Sequence, residues 1–313
     1  MLVGAEVMEI IRPKDMAERR RALALLLSRP ELSQSELDHH IDQLVRYVQK
    51  SNLSVDECLI AQQNGQNVAA CLCIDSPGRT ASVFIPDASR LPRIAREVVV
   101  LLEHVAGQAQ QRRVRLLQTM LAPDAKHEAA IFRQAGFNLI AQLIFMENDL
   151  LHSPLSSGVA APHVDWITYG PGTHSVFAQT IEGSYIESLD CGSLNGLRDI
   201  EDILASHRAV GQFDPQLWFL AQVSGEPIGV ILLAYLPERW SFELVYMGLL
   251  KDWRGLGYGA ALLTRGMEIS HQRAGSAFAL TVDVRNQPAI DLYARFGFKE
   301  ISRRDAWIKI LPE

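Results

Sequence analysis

Residues 249–263 read LLKDWRGLGYGAALL, and this stretch decides the fold. Two leucines close a β-rich run. Arg254, Gly255, Gly257 and Gly259 then make a turn, and Ala260-Ala261-Leu262-Leu263 opens an amphipathic helix. A strand, a glycine turn and a helix start present several free backbone N–H groups and the positive end of a helix dipole to one point, which suits a pyrophosphate. Glycine lets phosphate oxygens approach the backbone with no Cβ in the way. Two other phosphate motifs fail on context. No Gly-Lys-Ser/Thr ends the turn, and the preceding strands form antiparallel hairpins rather than the opening βαβ of a dinucleotide fold.

Working back from the turn, WFLAQVSG at residues 218–225 repeats CLIAQQNG at residues 58–65, an offset of 160. The match continues through an apolar strand after a Gly-containing hairpin turn, GQNVAACLCI against GEPIGVILLA. Further on, IFRQAGF at 131–137 mirrors LYARFGF at 292–298, an offset of 161, each a short helix stopping at glycine before the next strand. Ordered matches at a near-constant offset imply two copies of one domain, residues 1–149 and 163–313. The Ser-, Pro- and Gly-containing segment 150–162 reads as a linker. Each copy is expected to be a mixed α/β domain with a central twisted, mostly antiparallel sheet flanked by helices.

In the second copy the periodicity predicts a strand near 164–168, helices near 173–181 and 199–207, and strands at 217–223, 227–235 and 240–250. After the turn it predicts a helix to about residue 274, a strand at 278–284, a helix at 288–296 and a last hairpin to residue 310.

Composition excludes several classes of function. The 313 residues carry a formal net charge of -6 and no basic block, so nucleic acid is not an expected partner. Glu6 and Glu9 stand where a signal peptide wants basic residues, and the apolar runs are too short to span a bilayer, so a soluble cytoplasmic protein is expected. Cys58, Cys71, Cys73 and Cys191 show no CxxC spacing and read as buried thiols, and the sequon at Asn52 matters only in a secreted protein. His39-His40 and the other histidines lack ligand spacing, so no metal is expected.

The stretch Arg254, Gly257, Gly259 resembles the signature of the GCN5-related N-acetyltransferase (GNAT) superfamily, which is Arg or Gln, two residues, Gly, one residue, Gly or Ala. The family follows this with a strand, an asparagine near its end, and a short helix bearing a tyrosine. Asn286 and Tyr293 hold those places in VDVRNQPAIDLYARFGF. Leu249 and Lys251 stand where the family usually has valine and proline. The tandem organisation resembles that of mycothiol synthase and related double-domain acetyltransferases. The resemblance implies acetyl-CoA as co-substrate, bound by Leu249, Leu250, Arg254, Gly255, Leu256, Gly257, Tyr258, Gly259, Ala260 and Asn286. A backbone N–H at or beside Leu249 would serve the oxyanion, on a strand that splays in the family.

Acyl transfer from a thioester to an amine needs a neutral amine, a stabilised oxyanion and a proton for the departing thiolate. Glu243, eleven residues before Arg254, resembles the family's general base, and Tyr293 is placed to protonate the thiolate. Each also has a plain structural reading, a glutamate at a strand end and a core aromatic. The acceptor loop is expected over residues 182–195, where Glu182, Tyr185, Glu187 and Asp190 suit a cationic amine, although a solvated polar loop reads the same way. The first copy acts as a control. IAREVV at 94–99 replaces the glycine turn, and Val83, Ala125 and Phe132 replace Glu243, Asn286 and Tyr293. It is expected to be a degenerate domain that binds no coenzyme A.

The expected function is acetyl transfer to a primary amine of a small molecule or peptide, by a monomer or homodimer. A non-catalytic acyl-CoA sensor is the alternative.

Overall fold

The computed structural model describes residues 8–50, 54–152, 162–190 and 196–312. Asn52, Cys191, most of the expected linker and residues 191–195 of the expected acceptor loop lie outside the described residues. In chain order the first copy runs β1 (Met8–Ile11), α1 (Met16–Leu27), α2 (Gln34–Lys50), β2 (Cys58–Gln63), β3 (Gln66–Ser76), β4 (Thr80–Phe84), α3 (Leu91–Gln111), β5 (Leu116–Leu121), α4 (Lys126–Gln134) and β6 (Asn138–Asp149). The second runs β7 (Asp165–Thr168), α5 (His174–Ser184), α6 (Ile200–Arg208), β8 (Trp218–Val223), β9 (Glu226–Leu236), β10 (Ser241–Leu249), α7 (Tyr258–Gln272), β11 (Ala277–Asp283), α8 (Gln287–Arg295) and β12 (Lys299–Ile310).

The repeat is kept in detail. β2 and β3 start 160 residues before β8 and β9, and each hairpin shifts register at the same place, between Ala61 and Gln62 and between Ala221 and Gln222. β5, α4 and β6 start 161 residues before β11, α8 and β12. The last strand departs from expectation. Lys299–Ile310 is one continuous strand and not a hairpin, since it contains no Gly, Pro or Asn to turn on.

The chain divides into two packing units, Met1–Leu139 with Asp305–Glu313, and Ile140–Arg304. The final strand of each copy is thus exchanged relative to the sequence halves. Asp305 to Ile310 of β12 pair with β5, and Leu143 to Asp149 of β6 pair with β11, both antiparallel. The first unit has strand order β1-β2-β3-β4-β5-β12, and the second β6-β11-β10-β9-β8-β7. Within each unit one neighbouring pair is parallel, β4 with β5 and β10 with β11.

Each unit has its own core. In the second, Trp218, Phe219, Phe242 and Phe278 pack with Leu262, Leu263 and Met267 of α7. Gly266 gives α7 its close approach, since a Cβ there would meet Ile231 at 2.9 Å. In the first unit Trp307 of β12 joins the cluster of Leu101, Leu102 and Phe132. Cys58, Cys71 and Cys73 are buried and free. Burial pushes the Cys58 and Cys73 thiols up to about 12, and these groups pack as apolar side chains. No helix among the described residues is long and apolar enough to cross a membrane.

Candidate functional site

The site lies in the second unit, where two paired strands part. β10 pairs with β9 from Ser241 to Leu249, but with β11 only from Ser241 to Leu244, opposite Ala277 to Leu280. Beyond Leu244 the edge of β10 facing β11 has no strand partner among the described residues. Leu250 donates its N–H to the Ile228 carbonyl at 2.9 Å, so strand alternation turns the N–H groups of Leu249 and Met247 toward that open edge. This is the splay that offers a backbone donor at Leu249.

A bulge sets the side chains. Leu244 and Tyr246 oppose the consecutive β9 residues Leu233 and Leu232, so the alternation skips Val245 and Tyr246 joins Glu243 on one face. In a regular strand those two residues would point to opposite faces. Glu243 therefore stands where the strands part, and burial raises its carboxyl above the ordinary range although Arg239 opposes the shift.

On that face the end of α5 packs against β10. The Tyr246 hydroxyl lies 2.7 Å from Ser184 Oγ, and Ser184 donates to the Ile181 carbonyl at 2.6 Å, so the bond between them is donated by Tyr246. A Cβ at Gly248 would meet Ser184 Oγ and the Tyr246 hydroxyl at 2.6 Å each, so glycine is required for this approach. The Tyr185 ring packs edge-on to Tyr246 at 5.6 Å, and His207 of α6 stacks on it at 5.4 Å. Burial raises Tyr246 to about 12 and lowers His207 to about 4, so both are neutral at physiological pH. The sequence reading did not single out Ser184, His207, Tyr246 or Gly248. Their signal lies in the bulge, which has no glycine or proline to mark it.

The glycine turn follows. A short 3-10 turn at Lys251–Trp253 leads to Arg254, and Gly255 (φ 75°) and Gly257 (φ 90°) take left-handed conformations that a side chain would strain. Arg254 gives its N–H to Lys251 and Ala260 gives its own to Gly257, but the N–H groups of residues 255–259 have no backbone acceptor among the described residues. The N-terminus of α7 has neither a side-chain cap nor an acidic residue in its first turn. A Cβ on Gly255 would stand in open space. Four features thus fit a pyrophosphate: the open space at Gly255, N–H groups without a backbone acceptor, an uncapped helix end and the open β10 edge. Gly259 has a packing role, since a Cβ there would meet Leu292 of α8 at 3.3 Å.

Tyr293, on the same helix as Leu292, is buried to 6 % exposure and packs against Phe298 with ring centroids 5.8 Å apart. Burial first, then Asp190 and Tyr246, push its phenol well above the usual value, and its hydroxyl has no hydrogen-bond partner among the described residues. Asn286 caps α8, its side chain accepting from the Ala289 N–H at 3.3 Å.

The acceptor loop divides. Glu182 is exposed on α5, and Glu187 is exposed in an ion pair with Lys251 at 2.6 Å, so neither turns toward Tyr246. Asp190 turns inward. Its Oδ1 accepts from the Asp283 N–H at 3.0 Å, and burial raises its carboxyl above the ordinary range. Arg254 does not extend its side chain into the glycine turn. Its guanidinium donates to the carbonyls of Ser184, Glu187 and Leu249.

Residues 189–298 match the profile of the acetyltransferase (GNAT) family. That match falls within the second copy and takes in the glycine turn, Glu243, Asn286 and Tyr293. A mycothiol acetyltransferase of Streptomyces griseus subsp. griseus is 27% identical over 175 residues, covering 56% of this chain and 54% of that protein. The chain spans about half the length of the curated relatives it matches, at 46% and 54% for two of them. A GCN5-related N-acetyltransferase from Sphaerobacter thermophilus superposes with TM-score 0.63 at 18% identity, over 98% of this chain and 96% of that one. A tandem GNAT protein from the clavulanic acid biosynthesis pathway gives TM-score 0.51 at 15% identity, over 98% and 99%. Both solved structures share the fold of this chain over nearly its whole length.

Proposed function

We propose that the chain transfers an acetyl group from acetyl-CoA to a primary amine of a small molecule or peptide, by direct attack in the second unit. The observation that carries this reading is the parting of β10 from β11 directly before an uncapped, glycine-opened helix. A thioester arm needs an extended backbone edge, and its pyrophosphate needs free N–H groups.

Glu243, made more basic by burial, takes a proton from the acceptor ammonium. The neutral amine attacks the thioester carbonyl carbon, the oxyanion accepts from the N–H at Leu249, and the C–S bond breaks. Tyr293 retains its proton until the thiolate forms and then supplies it, the proton shed by the attacking nitrogen restores the Tyr293 hydroxyl, and the proton taken by Glu243 leaves to solvent. The net products are the amide, the coenzyme A thiol and one proton. The intact turn and the retained Glu243 and Tyr293 support an enzyme over a non-catalytic sensor. A thiol-release assay with acetyl-CoA and pooled primary amines tests the reading. Amine-dependent release is expected, and slow hydrolysis unaffected by any amine would overturn it.

A further inference from the structure

Arg254 opens the phosphate turn, yet its guanidinium is committed elsewhere. Nε donates to the Leu249 carbonyl at 3.1 Å, Nη1 to the Glu187 carbonyl at 3.0 Å and Nη2 to the Ser184 carbonyl at 2.8 Å. Ser184 ends α5, where the last carbonyls lack helical partners and the dipole is negative, so a guanidinium fork is a strong and geometrically demanding anchor there. Glu187 has φ 52°, a left-handed conformation that costs a side-chain-bearing residue energy unless its surroundings hold it. Two groups from the turn hold it, Arg254 on its carbonyl and Lys251 on its carboxylate. At the other end of the same segment, Asp190 accepts from the Asp283 N–H at the end of β11. Residues 184–190 are therefore a strap tied to the β10 side of the opening by Arg254 and to the β11 side by Asp190.

We infer that Arg254 is a positioning residue for the acceptor, fixing the strap 184–190 across the opening between β10 and β11, and that the phosphates are left to backbone N–H groups. The arrangement links the two substrates. The strap includes Tyr185, whose ring packs on Tyr246, so seating the phosphate turn also seats the acceptor wall. The kinetic part of this inference rests on the acyl-transfer reading.

The test compares wild type with Arg254→Ala, Arg254→Lys and Asp190→Ala in three measurements: coenzyme A binding by calorimetry, backbone hydrogen exchange over residues 182–190, and kinetics with the amines active in the pooled screen. Arg254→Ala is expected to speed exchange in the strap at least tenfold and raise amine KM at least tenfold, with coenzyme A affinity within threefold. The loss should be the same with acetyl-CoA and with S-acetylpantetheine, which lacks the pyrophosphate. Arg254→Lys, a single donor point, should recover less than half of the effect, and Asp190→Ala should loosen the strap from its other end. A tenfold loss of coenzyme A affinity with strap exchange unchanged would overturn the inference, as would a kinetic defect confined to acetyl-CoA. If no amine supports thiol release by the wild type, the acyl-transfer reading fails by itself, and exchange and binding still decide the role of Arg254.

Discussion

Helices α3 and α7 occupy the same point of the repeat and begin differently. α7 starts at Tyr258, after two left-handed glycines and a strand that has left its neighbour. α3 starts at Leu91, and the counterparts of Arg254–Gly259, residues 94–99, lie inside it, with only Ile94 departing from helical geometry. β4 has five residues and pairs with β3 without a register shift, so the first copy has neither the bulge nor the long free edge of β10. Elsewhere the copies agree closely. Phe132 packs edge-on to Phe137 at 5.0 Å as Tyr293 packs against Phe298, so the ring belongs to the fold and the hydroxyl is particular to the second copy. Ala125 starts α4 with no side-chain cap where Asn286 caps α8. The framework is common to both copies, whereas the bulge, the parted strands and the glycine turn occur in one.

Erasing that difference at the turn should have the largest effect. Gly257→Val places a β-branched residue at φ 90°, at a strain cost of about 1–3 kcal/mol, with its Cβ 3.4 Å from the Pro162 ring, so the turn that offers the N–H groups is distorted. Acetyl-CoA affinity measured by calorimetry should fall at least about a hundredfold, and retained affinity would show that the turn is not the phosphate site.

Glu243→Gln should lower kcat/KM by roughly a hundredfold, within the usual span for general base catalysis. The wild-type profile should rise with pH through a limb above the ordinary carboxylate value of 4.5, because burial raises Glu243, and the variant should lack that limb. The same shift has a stability sign. A raised folded-state value means the native carboxyl holds its proton more tightly than the unfolded one, so stability is lost as pH climbs past 4.5 through the folded value. The Gln variant should therefore melt higher than wild type at pH 7, and the gap should close below 4.5.

Tyr293→Phe recreates the first copy's residue and should lower kcat by at least tenfold while leaving acetyl-CoA affinity and melting temperature nearly intact, since Phe132 already shows that the ring alone packs. Unchanged turnover would remove Tyr293 from the mechanism. The reverse change, Phe132→Tyr, buries a hydroxyl at a position that is 0% exposed and should cost about 1–3 kcal/mol of stability, read by denaturant unfolding, with no gain in activity.

Much of this comparison was legible in the sequence. Offsets of 160 and 161 placed paired elements within a residue or two, and the glycines at 255, 257 and 259 marked the turn, because repeats and clustered glycines are local signals, the first two glycines taking positive φ. The bulge was not legible, since LVY at residues 244–246 is apolar in either register. Nor was the exchange of β6 and β12, because periodicity reports which face of a strand is buried and not which strand lies beside it. The hairpin expected before residue 310 is absent, because Lys299–Ile310 has no glycine, proline or asparagine at which to reverse. The sequence grouped Arg254 with the cofactor residues, but side-chain direction is set by the carbonyls at 184, 187 and 249, which come together only in the folded chain.

The central claim is that one copy binds coenzyme A and the other shares only its framework. Calorimetric titration of the full chain with acetyl-CoA tests it most directly. One equivalent per chain is expected, abolished by Gly257→Val; two equivalents, or one that survives the substitution, would contradict that claim.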